Sequence, residues 1–401
     1  LLYLILLSVN SKQPKQLIFI LVISELIFNM LFTLKNYNYF GFDSYIYNKN
    51  IMQDLVHQYE NNDYRIGQNS LYTKNDPILL NYRGIDNFLS TNDYKVNKFL
   101  VNVGYNGSEF ETHDNDYNTI FIDSLLGINY KIDNHKIENY NIEKEVNVTE
   151  YRDLVLSIGI PLKYYVQKNP YALKIGYMIS YSEIEFTDNP FENQNRLLNS
   201  IFNTNVNYLE PYSRSGNIFS IDNDEMVYLY YPYKFGKRCK IIIDDKKTSL
   251  VSEIHSYQNN LNGKNVSTSI KCKKYKEDRI PYAYYINMDL FKENFSLIKD
   301  ELNIEKIDNN YLKGNIKVTE DDKILLLTIP YDENLDVYVD GNKVKIKQLY
   351  DTFIGINLEK GDHIIELKYH VKVLKISIII SILSLIMTFF YLKSVKLQKK
   401  C

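Results

Sequence analysis

Ile376-Ser377-Ile378-Ile379-Ile380-Ser381-Ile382-Leu383-Ser384-Leu385-Ile386-Met387-Thr388-Phe389-Phe390-Tyr391-Leu392 contains no charged side chain. A bilayer core about 30 Å thick asks for roughly 17–25 helical residues. Backbone amides cannot stay unpaired in lipid, so an apolar run of this length reads as a transmembrane helix. Leu17–Leu34 reads the same way, and Leu1–Val9 reads as the end of another transmembrane helix. Two crossings return the chain to one side, so the long polar stretch between them lies in water on a single side. Lys12 and Lys15 precede the first run, and Lys393, Lys396, Lys399 and Lys400 follow the last. Short lysine-rich flanks stay cytoplasmic, which makes residues 393–401 a cytoplasmic tail and the middle extracytoplasmic. Lys372 and Lys375 at the helix entrance reach the headgroups by snorkelling. The expectation is a multi-pass protein of the cell membrane, with the bilayer and further upstream transmembrane helices of the same protein as partners.

Composition narrows the chemistry. The formal net charge is −2, which gives no signature of nucleic-acid binding. Trp is absent while Tyr numbers 37, and Asn is abundant. Cys239 and Cys272 both fall in the outside region, where a disulfide is chemically allowed. Their spacing fits no metal motif, and pairing is left open. The six histidines are scattered singly. No metal site and no cofactor is therefore expected.

Residues 35–150 mix periods and read as a small α+β subdomain. Asn50–Asn61 carries Ile51, Leu55 and Val56 on one helical face. Asp93–Val103 has Val96, Phe99, Leu100 and Val103 at helical spacing and stops at Gly104. A short helical turn at Asp123–Leu126 leads into a strand over Ile128–Ile132. Residues 151–371 change to many short strands, with helices expected at Phe191–Phe202 and Phe291–Leu302. Val339-Asp340-Gly341-Asn342 is a tight-hairpin signal, because Gly supplies the positive φ such turns need. Closely spaced strands with regular turns indicate a jelly-roll-like β-sandwich. The fold class is thus α+β to mostly β, flanked by transmembrane helices at 17–34 and 376–392.

Several stretches, in order along the chain, carry a family likeness. They are Tyr64-Arg65-Ile66, Gly84-Ile85 through Ser90, Asp123-Ser124-Leu125-Leu126-Gly127-Ile128-Asn129-Tyr130, Asn169 through Tyr177, Asn189-Pro190-Phe191 through Gln194-Asn195, Ile329-Pro330-Tyr331, Val339-Asp340-Gly341 and Gly361-Asp362-His363. Together they resemble the YfhO family of bacterial membrane proteins. Asn334-Leu335 departs from the Gly-Trp usual in that family, so a different bend is expected there. The resemblance implies a polytopic GT-C-like glycosyltransferase that moves sugar from a lipid-phosphate-linked donor to a cell-envelope polymer such as lipoteichoic acid. Its catalytic carboxylate is expected in early loops between N-terminal helices, so no catalytic residue is assigned in this chain.

Candidate site residues follow from residue type. Glu25 is the ionisable residue inside a spanning run, with Asn29 one turn on. Charges at mid-membrane are costly and usually face other helices or a cavity, so the pair is a candidate intramembrane polar contact. Asn169, Gln194 and Asn195 are candidate glycan-facing amides of a wall or teichoic-acid groove, weighed against a structural role stapling the helix to the sandwich. Carboxylate pairs such as Asp114 with Asp116, Asp222 with Glu225, Asp244 with Asp245 and Asp321 with Asp322 sit in turn-like settings. They lack the look of a hydrolase pair held across a cleft. Asp123 and Ser124 read as an N-cap and its neighbour rather than a nucleophile. The alternative to a transferase is a non-catalytic, membrane-anchored surface-binding or assembly module.

Overall fold

The strand Ile324–Pro330, Ile-Leu-Leu-Leu-Thr-Ile-Pro, lies where two layers of the molecule meet. Side chains alternate between the faces of a strand. Leu325 and Leu327 point into one buried cluster, and Ile324 and Leu326 into another. A continuous apolar run is what a strand covered on both faces requires. The computed structural model describes residues 14–36, 42–68, 73–91, 93–108, 112–114, 118–137, 139–147, 163–215, 218–221, 227–230, 239–243, 246–249, 254–257, 264–272, 282–371 and 373–398. The expected helix end at Leu1–Val9, the carboxylates Asp116, Asp222, Glu225, Asp244 and Asp245, and Cys401 lie outside them.

The first face of Ile324–Pro330 belongs to a β-sandwich. One sheet has Lys347–Leu349, Phe353–Asn357, Ile324–Pro330 and Gly176–Ile179 in that order. The facing sheet has Asn303–Asp308, Tyr311–Val318, Gly361–Tyr369, Leu335–Val339 and Asn342–Val344. Met178, Leu325, Leu327, Ile354 and Ile356 of the first meet Ile304, Ile316, Val337, Ile365 and Leu367 of the second. Four strands thus face five, against the two four-stranded sheets of a jelly roll, and the sandwich uses a smaller part of 151–371 than expected. The hairpin at Val339–Asn342 forms as read, with Asp340 and Gly341 at φ 53° and 80°. Positive φ at both central residues matches the right-handed twist of the flanking strands.

The second face packs on three helices, Tyr94–Asn102, Ile120–Leu125 and Pro190–Phe202. Phe99, Leu100, Phe121, Phe191 and Leu198 fill this cluster with Ile324, Leu326 and Phe353. Asp93 caps the first of these helices by accepting from Lys95 N at 2.8 Å. Asn189 caps the third, accepting from Phe191 N at 3.0 Å with Pro190 at the first helical position. Both are expected from the chemistry of helix starts.

A third cluster joins Met52, Leu55 and Val56 of helix Phe42–Tyr59 to Ile66, Ile132, Tyr164 and Val166 of a four-stranded sheet. Its order is Arg65–Gln68, Ile128–Asp133, Lys163–Lys168, Asn141–Asn147, and the first pair is parallel. The division drawn at residue 150 is not a seam here. Strand Lys163–Lys168 sits inside the sheet of the first segment, and the cluster on the three helices takes residues from both sides of it. Such pairing is non-local and leaves no mark in local periodicity. The neighbouring strands Ile218–Ile221 and Val227–Tyr230 belong to different sheets. Cys239 and Cys272 are register partners across two antiparallel strands.

Helices Pro14–Asn36 and Leu374–Gln398 cover the two terminal apolar runs. Their described apolar side chains stand clear of the rest of the molecule: Phe28 is 69% exposed and Leu385 71%. Among the described residues no helix is long and apolar enough to cross a membrane, the unbroken run of described side chains in the second being Ile376–Tyr391.

Gly176 marks how closely the sandwich strand approaches its neighbours. A Cβ there would lie 2.6 Å from Leu327 Cδ2 and 3.0 Å from Leu302 Cβ, both on fully buried residues. Overpacking of this kind costs about 1–3 kcal/mol. Gly176→Ala is expected to lower the denaturation midpoint accordingly, and an unchanged midpoint in chemical unfolding of the full chain would show that the leucines yield freely.

Candidate functional site

One face of the molecule carries an open polar cleft of about 1140 Å³. Its walls are the end of helix Phe42–Tyr59 with the Glu60–Asp63 segment, the turn Asn81–Arg83, and the tip of the hairpin joining Asn303–Asp308 to Tyr311–Val318. The turn forms because Asn81 takes the left-handed conformation, φ 55°, at the end of the short helix Asp76–Leu80. Asn is among the few non-glycine residues that do so readily. Tyr82 N then donates to Pro77 O at 3.0 Å. This places Arg83 against the Glu60–Asp63 segment: its Nη2 donates to Asn61 O at 2.9 Å and Asn62 Oδ1 at 3.2 Å, and lies 3.3 Å from Glu60. His57 Nε2 donates to Leu80 O at 3.0 Å. Asp63 ties the opposite wall, accepting from Ile304 N at 2.7 Å and pairing with Lys174 at 2.9 Å.

The cleft is therefore held from both sides by its own polar groups. Asn62, Asn81, Asn309 and Asn310 remain exposed along it. Amides offer both donors and acceptors, which suits a poly-hydroxyl ligand better than a single ion. Among the described residues no group of three or more His, Cys, Asp or Glu is placed to hold a metal ion. Sequence reading missed this cleft. Its signal, Asn61-Asn62-Asp63 and Asn309-Asn310, is lost in a chain where Asn is abundant everywhere.

The amides singled out from sequence are placed elsewhere. Asn169 is buried: its Nδ2 donates to Ser124 Oγ at 3.0 Å and Ile128 O at 3.1 Å. Gln194, also buried, donates to Val103 O at 2.8 Å and accepts from Thr119 Oγ1 at 2.7 Å. Asn195 Nδ2 donates to Leu209 O at 2.8 Å, and its Oδ1 accepts from Tyr208 N and Leu209 N at 2.9 Å each. As glycan-facing residues these three are corrected to staples, because their hydrogen-bonding groups are engaged by this chain itself. Glu25 and Asn29 lie exposed on helix Pro14–Asn36, one turn apart.

Asp123 and Ser124 also change role. The N-cap position of helix Ile120–Leu125 is Thr119, and Asp123 lies within the helix, 1% exposed. Its Oδ2 receives Lys131 Nζ at 3.0 Å and Tyr140 OH at 2.7 Å. Lys131 is equally buried. Burial first, then the Asp123 carboxylate, pushes the Tyr140 hydroxyl well above its ordinary range, so it stays a proton donor. Ser124 Oγ donates to Ile120 O at 2.7 Å, one turn back, and is no nucleophile. This cluster lies in the interior between helix and sheet and knits them together.

Comparison with known proteins agrees with the likeness carried by the motifs. A family described as "Bacterial membrane protein YfhO" matches residues 1–226 and 217–381. The "Uncharacterized protein YfhO" of Bacillus subtilis (strain 168) is 33% identical over 117 residues, 27% of this chain and 14% of that protein. The match thus spans about a seventh of that relative's length. A conserved Pseudomonas aeruginosa protein of unknown function aligns over 40% of this chain and 70% of its own, at 10% identity and a TM-score of 0.15. The matched residues run through nearly the whole chain, and it belongs to the YfhO family of bacterial membrane proteins.

Proposed function

We propose that this chain is a membrane-anchored, extracytoplasmic portion of a sugar-transfer protein, and that its polar cleft holds the glycan acceptor. Helices Pro14–Asn36 and Leu374–Gln398 lie in the bilayer, which covers their exposed apolar side chains. Glu25 and Asn29 then meet the polar side of another helix of the same protein. The acceptor is a cell-envelope polymer such as lipoteichoic acid, and the donor is a lipid-phosphate-linked sugar used at a reaction centre formed by other parts of the protein. The observation that carries the reading is the cleft, whose size and exposed amides suit hydroxyl-rich ligands. Family membership supports the membrane setting.

The test is titration of the full chain in detergent with lipoteichoic-acid fragments. Asn62→Ala combined with Asn309→Ala changes two exposed cleft residues and is expected to weaken binding about tenfold or more. Salt is expected to matter little, since the recognition is by amides rather than net charge. No binding, or binding untouched by the double substitution, removes the glycan reading. The alternative, a surface-binding or assembly module, is separated in cells. If the same substitutions abolish binding while sugar on the envelope polymer is unchanged, the protein binds without assisting transfer.

A further inference from the structure

Arg65 begins the parallel-paired strand Arg65–Gln68 and reaches between the helical layer and the sandwich. Its Nη1 donates to Leu126 O at 2.6 Å and Thr328 Oγ1 at 2.9 Å, and its Nη2 to Thr328 O at 2.6 Å. A guanidinium carries five N–H groups in a planar fork. Both Nη1–H groups are used, and Nη2 shares the end-on edge that faces Thr328. The side-on edge, Nε–H and the outer Nη2–H, has no acceptor among the described residues, and no carboxylate pairs with it there. Burial lowers the Arg65 pKa to about 10, which leaves it charged at neutral pH.

That cation lines a pocket of about 210 Å³ whose other walls include the apolar Ile85, Val96, Leu100 and Phe353 and the amide of Asn87. Arg65 is the one charged residue among the lining residues. Four of the stretches that carry the family likeness supply the walls: Arg65 itself, Gly84-Ile85, Leu126 and Pro330. The polar cleft takes none of its lining from Arg65, and the inference does not depend on the glycan reading.

We propose that this pocket binds a small monocarboxylate with an apolar body. The free edge of this half-buried guanidinium opens into a pocket whose polar lining is otherwise Asn87 and Thr328, neither of them charged, and an anion completes it best. The side-on pair of N–H groups matches the two oxygens of a carboxylate, a planar and bidentate fit. One cation balances one anion, which disfavours the dianion of a phosphate monoester. At roughly 30 Å³ per water the volume equals about seven waters, room for a carboxylate and ~5 carbons. The three bonds of Arg65 account for the end-on edge and leave the other edge open to the pocket.

Hexanoate, hexanol, acetate and hexyl phosphate are titrated calorimetrically into the full chain in detergent. Hexanoate is expected to bind at least about tenfold more tightly than each of the others. Val96→Phe fills the pocket without touching the bonds of Arg65 and is expected to lose binding about tenfold or more. Arg65→Lys keeps the charge, removes the fork, and is expected to show a similar loss. Hexanol binding as well as hexanoate would overturn the role of Arg65. Tighter hexyl phosphate would overturn the single-charge argument, and hexanoate binding that survives Val96→Phe would overturn the location. Should Arg65→Lys fail to fold, Val96→Phe and the ligand series still decide.

Discussion

Lys131→Met is expected to destabilise the protein by about 3–5 kcal/mol, the cost of removing one partner from a buried ion pair. Lys131 Nζ and Asp123 Oδ2 are 3.0 Å apart, with side chains 2% and 1% exposed. Methionine keeps the length and the apolar stem of lysine, so packing changes little. The carboxylate loses its counter-charge in a place water does not reach. Tyr140 OH at 2.7 Å remains as a donor to the same oxygen, but Oδ1 has no hydrogen-bond partner among the described residues. A neutral hydroxyl cannot hold a buried charge as an ammonium does. Asp123→Leu with Lys131→Met removes both charges and is expected to recover a large part of the loss, because a buried pair contributes little net stability against apolar replacements. Chemical denaturation of the full chain, followed by near-ultraviolet circular dichroism of its tyrosines, measures both. A single substitution costing under 1 kcal/mol would mean that water reaches Asp123 after all.

That pair also shows where sequence reading stops. Asp123 and Lys131 are eight residues apart, and nothing in their spacing distinguishes a buried pair from two solvated charges. The contact arises because helix Ile120–Leu125 turns at Gly127, φ 73°, into strand Ile128–Asp133 and folds back on it. Local periodicity was enough for helix Tyr94–Asn102, whose apolar face and Asp93 cap are both written in neighbouring residues. It was enough for the Asp340-Gly341 turn. It overextended the helix expected over Phe291–Leu302. The helix is Met288–Phe295, and Leu302 enters the other cluster just before the strand Asn303–Asp308. Phe295, Ile298 and Leu302 keep helical spacing by coincidence. Pairings such as that of Lys163–Lys168 with Ile128–Asp133 are set by packing over long sequence separation, which no local window contains. The same limit hid the site: an amide reads identically whether it faces a groove or a backbone carbonyl.

Asn195→Ala puts that ambiguity to a direct test and is expected to destabilise by roughly 2–4 kcal/mol. The side chain makes three bonds to one neighbouring segment, donating to Leu209 O and accepting from Tyr208 N and Leu209 N. Tyr208 and Leu209 are fully buried, so their backbone groups depend on this amide for much of their satisfaction. Alanine is small and a good helix former, so helix Pro190–Phe202 itself does not suffer. The loss is that of unsatisfied buried groups, each about 1–3 kcal/mol and partly relieved by rearrangement. Asn195→Asp separates hydrogen bonding from shape. It keeps the acceptor for the two N–H groups and loses the donor to Leu209 O, so it is expected to fall between wild type and alanine at neutral pH. Glycan binding, measured on folded protein at low temperature, is expected to stay unchanged in both variants. Unaltered stability together with weakened glycan binding would return Asn195 to the glycan-facing role and move the candidate site from the cleft to the face of this helix.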